Sequence, residues 1–75
     1  MEEFKMNKEY MTMTQFLKAL DYISSGGQAK YYLDEYIVFL NNERCLLRGK
    51  KLYPKDVVTI GKKSYILTYD QKNNT

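Results

Sequence analysis

Thr12-Met13-Thr14-Gln15 and Ser25-Gly26-Gly27-Gln28 are the two stretches that decide the fold. In each, a hydroxyl residue is followed three positions later by Gln. That is the pattern of a capping box, in which the hydroxyl accepts from the third amide and the Gln side chain reaches back to the cap. Met11 and Phe16 stand at the staple positions of the first box. Phe16, Leu17, Leu20 and Ile23 then follow at helical spacing, which predicts a helix over 13–23. The second box predicts a helix over about 26–36 that turns Ala29, Tyr32, Leu33 and Tyr36 inward.

Outward from the helices, the pattern changes to that of strands. Residues 4–11 alternate imperfectly and read as one short strand. Ile37-Val38-Phe39-Leu40 is β-branched and aromatic, and Asn41-Asn42 after it is a turn pair. Residues 43–56 show little periodicity and end in the turn Tyr53-Pro54-Lys55-Asp56. Val57–Ile60 and Ser64–Tyr69 read as strands joined through Gly61-Lys62-Lys63, and Gln71–Thr75 reads as a frayed polar tail. Two helices followed by consecutive strands indicate an α+β fold.

Composition narrows the function. With 75 residues and 8.9 kDa, one domain with one small core is expected, with a core over about 4–69. The apolar share of 44% and charged share of 28% fit a globular chain, and apolar runs are too short for a spanning helix. Met1-Glu2-Glu3-Phe4-Lys5 lacks the basic and apolar regions of a signal peptide, so the cytoplasm is the expected location. Histidine is absent and Cys45 is the one cysteine, which excludes an internal disulfide and a thiolate zinc site. Cys45 has no imidazole to activate it and is expected to pack as a small hydrophobe. Asp21, Asp34, Glu35, Glu43 and Asp56 show no spacing that pairs them. No enzymatic activity, cofactor or metal is expected.

Charge points to a partner instead. Residues 1–43 hold four Lys against seven acidic residues and net −3, whereas residues 44–63 hold seven basic residues against Asp56 and net +6. Arg44, Arg48, Lys50 and Lys51 fall within eight residues, and such a block suits an anionic partner. Ser25-Gly26-Gly27 at a helix start would let a phosphate approach free amides, with Gln28 and Lys30 close by. A plain interhelical turn explains the glycines as well, and a solvated face explains a basic loop, so the weight lies on their pairing. Among the tyrosines, Tyr31 and Tyr53 lie next to lysines and are the candidates for stacking on bases, while Tyr32 and Tyr36 read as core.

The succession Gln15-Phe16-Leu17-Lys18, Ser25-Gly26-Gly27-Gln28-Ala29-Lys30, Val38-Phe39-Leu40-Asn41-Asn42-Glu43 and Arg48-Gly49-Lys50-Lys51-Leu52-Tyr53-Pro54-Lys55-Asp56 resembles the RNA-binding domain named after ribosomal small-subunit protein S-four, the alpha-L motif. Within it, the chain is most similar to the YaaA-like stand-alone branch, over about residues 4–68. The resemblance implies two antiparallel helices on a small, mostly antiparallel curved sheet. It also implies an RNA surface on Gln15, Ser25, Gly26, Gln28, Lys30, Asn41 and the basic loop with Arg44, Arg48, Lys50 and Lys51. Several positions depart from the pattern. Gly26 and Leu47 stand where relatives carry Arg, and Gln15 and Leu17 where they carry Arg and Asp. Asn42 and Lys55 stand where they carry Gly.

The expected function is therefore a non-catalytic module that grips structured RNA, of the ribosomal or transfer class, by its backbone, and a monomer is expected. The alternative is a protein-interaction adaptor on the same fold. Relatives encoded among DNA replication and repair genes give it weight. A membrane role ranks behind both, since no helix is basic and amphipathic in the required sense.

Overall fold

The computed structural model describes residues 1–70, and the predicted frayed tail, Gln71–Thr75, lies outside them. The elements in chain order are β1 (Glu2–Lys5), β2 (Met11–Thr12), α1 (Met13–Ala19), a short 3-10 turn (Gly26–Gln28), α2 (Ala29–Glu35), β3 (Val38–Leu40), β4 (Glu43–Arg44), β5 (Lys51–Leu52), β6 (Val57–Ile60) and β7 (Lys63–Thr68). Five strands form one sheet in the order β1-β7-β6-β3-β4, and β2 pairs with β5 in a separate ribbon. The β1–β7 pairing is parallel and the others are antiparallel. This is the expected α+β architecture: two helices, a mostly antiparallel sheet and an N-terminal strand.

The first capping box forms as its sequence dictates. The Gln15 amide donates to Thr12 Oγ1 at 3.2 Å, and the Thr12 amide donates to Gln15 Oε1 at 2.9 Å. α1 then buries Met13, Phe16 and Leu17 completely. It ends at Ala19 rather than at 23, because Asp21 takes φ 64° and reverses the chain. The Asp21 amide donates to Lys18 O at 3.0 Å and the Tyr22 amide to Leu17 O at 2.9 Å. These two bonds make a Schellman motif with Asp in the left-handed position that usually belongs to Gly.

The predicted second helix divides into the 3-10 turn and α2, and only α2 is α-helical. Ala29 and Leu33 are fully buried, Tyr32 is half-buried, and Tyr36 is exposed beyond the helix end, so Tyr36 does not belong to the core. The predicted strand over 4–11 is two strands separated by a bend, with β1 shifted to Glu2–Lys5. The stretch 43–56 contains β4 and β5, each two residues long, too short for a period to show.

The turns follow their residues. Asn41 and Asn42 take φ 52° and 75°, the two positive values of a type I′ hairpin, and join β3 to β4. The Asp56 amide closes the Pro54-Lys55 turn on Tyr53 O at 3.1 Å, with Lys55 at φ 81° in the place that favours Gly. The core gathers Phe16 with Phe4 and Tyr65 in edge-to-face contacts, at centroid distances of 5.2 and 5.6 Å. Around them lie Leu17, Leu33, Val38, Leu52, Val58 and Leu67, all fully buried. Cys45 is buried as a small apolar side chain and continues the β3–β4 ladder through its amide to Val38 O at 2.8 Å.

Candidate nucleic-acid interface

The basic loop is held by its backbone. Leu47 to Lys50 is a β-turn closed by the Lys50 amide on Leu47 O at 3.2 Å, with Arg48 and Gly49 at its tip. From this turn, Arg48 O accepts the Thr14 amide at 3.0 Å and the Thr14 hydroxyl at 2.8 Å, and Lys50 O accepts the Met13 amide at 2.8 Å. These carbonyls satisfy amides that the first turn of α1 leaves without intrahelical partners. The loop therefore closes the start of the first helix. Thr14 also faces the 3-10 turn, since a Cβ placed on Gly26 would lie 3.7 Å from its methyl group. Thr14 is the hinge between the Arg48 turn and the glycine turn, and no sequence signal marked it.

The candidate side chains separate into engaged and free. Arg44 donates through Nη2 to Leu33 O at 3.3 Å, one of the last four carbonyls of α2, where a cation also complements the helix dipole. Asn41 is spent on the fold: its Oδ1 accepts the Val57 amide at 2.9 Å, and its Nδ2 donates to Asp56 Oδ1 at 3.0 Å. Gln15 is exposed, with its Oε1 in the capping box. Ser25 is exposed and extended. Gly26 meets its neighbour only at ordinary contact distance, and space around Gly27 and Gly49 is open. Lys30, Arg48 and Lys50 are exposed and make no ion pair or side-chain hydrogen bond among the described residues. Lys51 Nζ lies 5.0 Å from the centroid of the Tyr10 ring.

Gln28 is fixed more firmly than the sequence suggested. Its Oε1 accepts the Ser24 amide at 2.6 Å, the Ser24 hydroxyl at 3.0 Å and the Ser25 amide at 3.1 Å. Backbone amides can only donate, so the carboxamide orientation is determined, and its NH2 group remains outward as a donor.

A tyrosine cluster lies behind the glycine turn. Tyr22 and Tyr65 share a hydroxyl–hydroxyl hydrogen bond of 2.7 Å, and Tyr32 lies 6.0 Å from Tyr22 and 4.6 Å from Tyr36 between ring centroids. Burial, and then the bond to Tyr65, pushes the Tyr22 phenol up to about 12. Burial raises the Tyr32 phenol as well. Among the described residues, no three of His, Cys, Asp and Glu gather as metal ligands, and no helix is long and apolar enough to cross a membrane.

Comparison with known proteins agrees with this architecture. A family model described as the S4 domain matches residues 4–68. The chain is 49% identical over 55 residues to the probable ribosome maturation protein RlbA of Bacillus subtilis (strain 168), covering 73% of this chain and 78% of that one. No solved structure matches. With the family pattern running from β1 through the last residue of β7, the chain belongs to the S4 domain family.

Proposed function

We propose that this protein is a non-catalytic RNA-binding module of the cytoplasm that holds structured RNA of the ribosomal or transfer class. Lys30, Arg48, Lys50 and Lys51 contact backbone phosphates, and Gln28 offers its NH2 group as a fixed donor beside the open glycine turn. The observation that carries this reading is the division of labour in the loop. Its carbonyls are bound to α1, while the Arg48 and Lys50 side chains stand exposed without a partner among the described residues. A cation held on a fixed backbone and left unpaired is arranged for a ligand outside the chain, and phosphate is the anion that Arg and Lys both serve. The name of the RlbA relative, a ribosome maturation protein, supports ribosomal RNA as the class.

Binding of a structured RNA, measured across salt concentrations, tests the reading. Removing phosphate contacts flattens the dependence of log affinity on log salt, by about 0.7 to 0.9 per contact. Arg48→Ala, Lys50→Ala and Lys51→Ala together should lower the slope by roughly 2 and weaken different RNAs alike. The adaptor reading has one observation in its favour, the exposed Leu46 and Leu47 beside the loop. Failure of the wild-type protein to bind structured RNA even at low salt would favour it, whereas unchanged binding in the triple variant would place the RNA surface elsewhere on the chain.

A further inference from the structure

The ribbon of β2 and β5 carries an aromatic pair that the phosphate contacts leave unused. Met11 pairs with Leu52 and Thr12 with Lys51. Tyr10 and Tyr53 directly flank these pairs and face each other across the ribbon, with ring centroids 5.9 Å apart and planes tilted by 44°. Leu52 is fully buried, so alternation along the strand puts Lys51 and Tyr53 on the outer side. Tyr10 is 45% exposed and Tyr53 48% exposed, unlike the tyrosine Tyr65, which is buried in the core. The Tyr53 backbone is fixed, because its amide donates to Asp56 Oδ2 at 2.8 Å and its carbonyl accepts the Asp56 amide.

Cations lie on both sides of the pair. Tyr10 shares one shallow groove with Lys5, Lys8 and Gln15. Tyr53 shares another with Lys50, Lys51, Glu43 and Asp56, of which the Asp56 carboxylate is already engaged by Asn41 Nδ2 and the Tyr53 amide. Resting on the RNA reading above, we propose that Tyr10 and Tyr53 form a stacking platform for an unpaired nucleobase. The base would belong to a strand leaving the helical RNA whose phosphates the loop holds. The rings are tilted and close together, so the base lies on their exposed faces rather than between them. Lysines on either side then meet the phosphates before and after that base. An aromatic face beside a cationic track is how single-stranded nucleic acid is held without reading its sequence. The ligand is thus a junction, a paired stem with an unpaired extension, rather than a blunt duplex.

The test uses the full chain and two synthetic RNA hairpins with the same stem, one blunt and one with a four-nucleotide unpaired extension carrying 2-aminopurine. Titrations at low salt let backbone binding be seen for both. Wild type should bind the extended hairpin at least about fivefold more tightly, since stacking one base on an aromatic ring is worth about 1 kcal/mol or more. Binding should also change the 2-aminopurine fluorescence. Tyr10→Leu with Tyr53→Leu should abolish both the preference and the fluorescence change and leave blunt-hairpin affinity within about twofold. Tyr10→Phe with Tyr53→Phe keeps the rings and should retain both. Equal wild-type affinity for the two hairpins, with no fluorescence change, would overturn the platform, and that result does not depend on any variant folding. If the hairpins bind equally and Arg48→Ala still weakens both, the RNA reading stands without the platform. If neither hairpin binds, both fall.

Discussion

The Thr14 hydroxyl donates to the carbonyl oxygen of Arg48 at 2.8 Å, and the Thr14 amide donates to the same oxygen at 3.0 Å. One carbonyl thereby fixes the tip of the basic turn to the first helix. Thr14→Val keeps the shape and removes the hydroxyl donor. It should cost about 0.5–1.5 kcal/mol in urea unfolding and hasten amide exchange at Lys50. RNA affinity should fall while its salt slope stays as in the wild type, because no cation is lost.

Asp21 holds φ 64° with a Cβ that this conformation disfavours. Asp21→Gly relieves the clash but adds freedom to the unfolded chain. The net expectation is a gain of about 0.5–1 kcal/mol, seen as a rise of roughly 2–8 °C in the thermal midpoint. An unchanged or lower midpoint would mean that the Asp side chain itself contributes at this helix end.

Burial of Tyr22, and then its bond to Tyr65, makes stability depend on pH in the alkaline range. Tyr22 ionises at about 12 in the folded chain, above the 10.0 of an ordinary phenol. The folded state thus keeps its proton where the unfolded state gives it up. The contribution of this group is fully present below pH 10 and is lost as pH rises through 10 toward 12. Unfolding measured over that range should show a steeper decline in the wild type than in Tyr22→Phe.

Gln28→Glu separates the two ends of the carboxamide. Carboxylate oxygens can still accept from Ser24 and Ser25, so the circular dichroism and midpoint should change little. The outward NH2 is lost and a negative charge is gained, so RNA binding should weaken by tenfold or more at low salt. Gln28→Ala, by contrast, should lower stability by removing the acceptor of three donors.

Lys62 and Lys63 test whether a defined surface or net charge governs binding. Lys62 lies in the β6–β7 turn, and Lys63 is the first residue of β7, with its Nζ 3.8 Å from Glu2 Oε2. Their joint replacement by Ala should leave the salt slope within about half a unit of wild type. An effect equal to that of Lys50 and Lys51 would point to net charge.

Local chemistry was legible in the sequence, and long-range contacts were not. The Thr12–Gln15 box, the Asn41-Asn42 hairpin and the Pro54-Lys55 turn are all short-range devices, and each formed where its residues indicated. The early end of α1 was hidden because Asp21 occupies a place that Gly announces. Among the candidate site residues, Asn41 and Arg44 are tied to Val57, Asp56 and Leu33, partners 11 to 16 positions away that no spacing rule connects. Tyr10 escaped notice for the same reason. Its neighbour Tyr53 is supplied by a ribbon of only two residues per strand.

The place of β7 in the sheet has a consequence for how the chain is made. Synthesised last of the described strands, it lies between β1 and β6, and β1 pairs with no other strand among the described residues. On the ribosome, Phe4 and Phe16 are therefore left without Leu67 and Tyr65 until translation has passed residue 67. The sheet cannot assemble progressively from its N-terminal end. A nascent chain stalled before Lys63 should remain open to proteases, and protection should arrive in one step once residue 68 has left the exit tunnel.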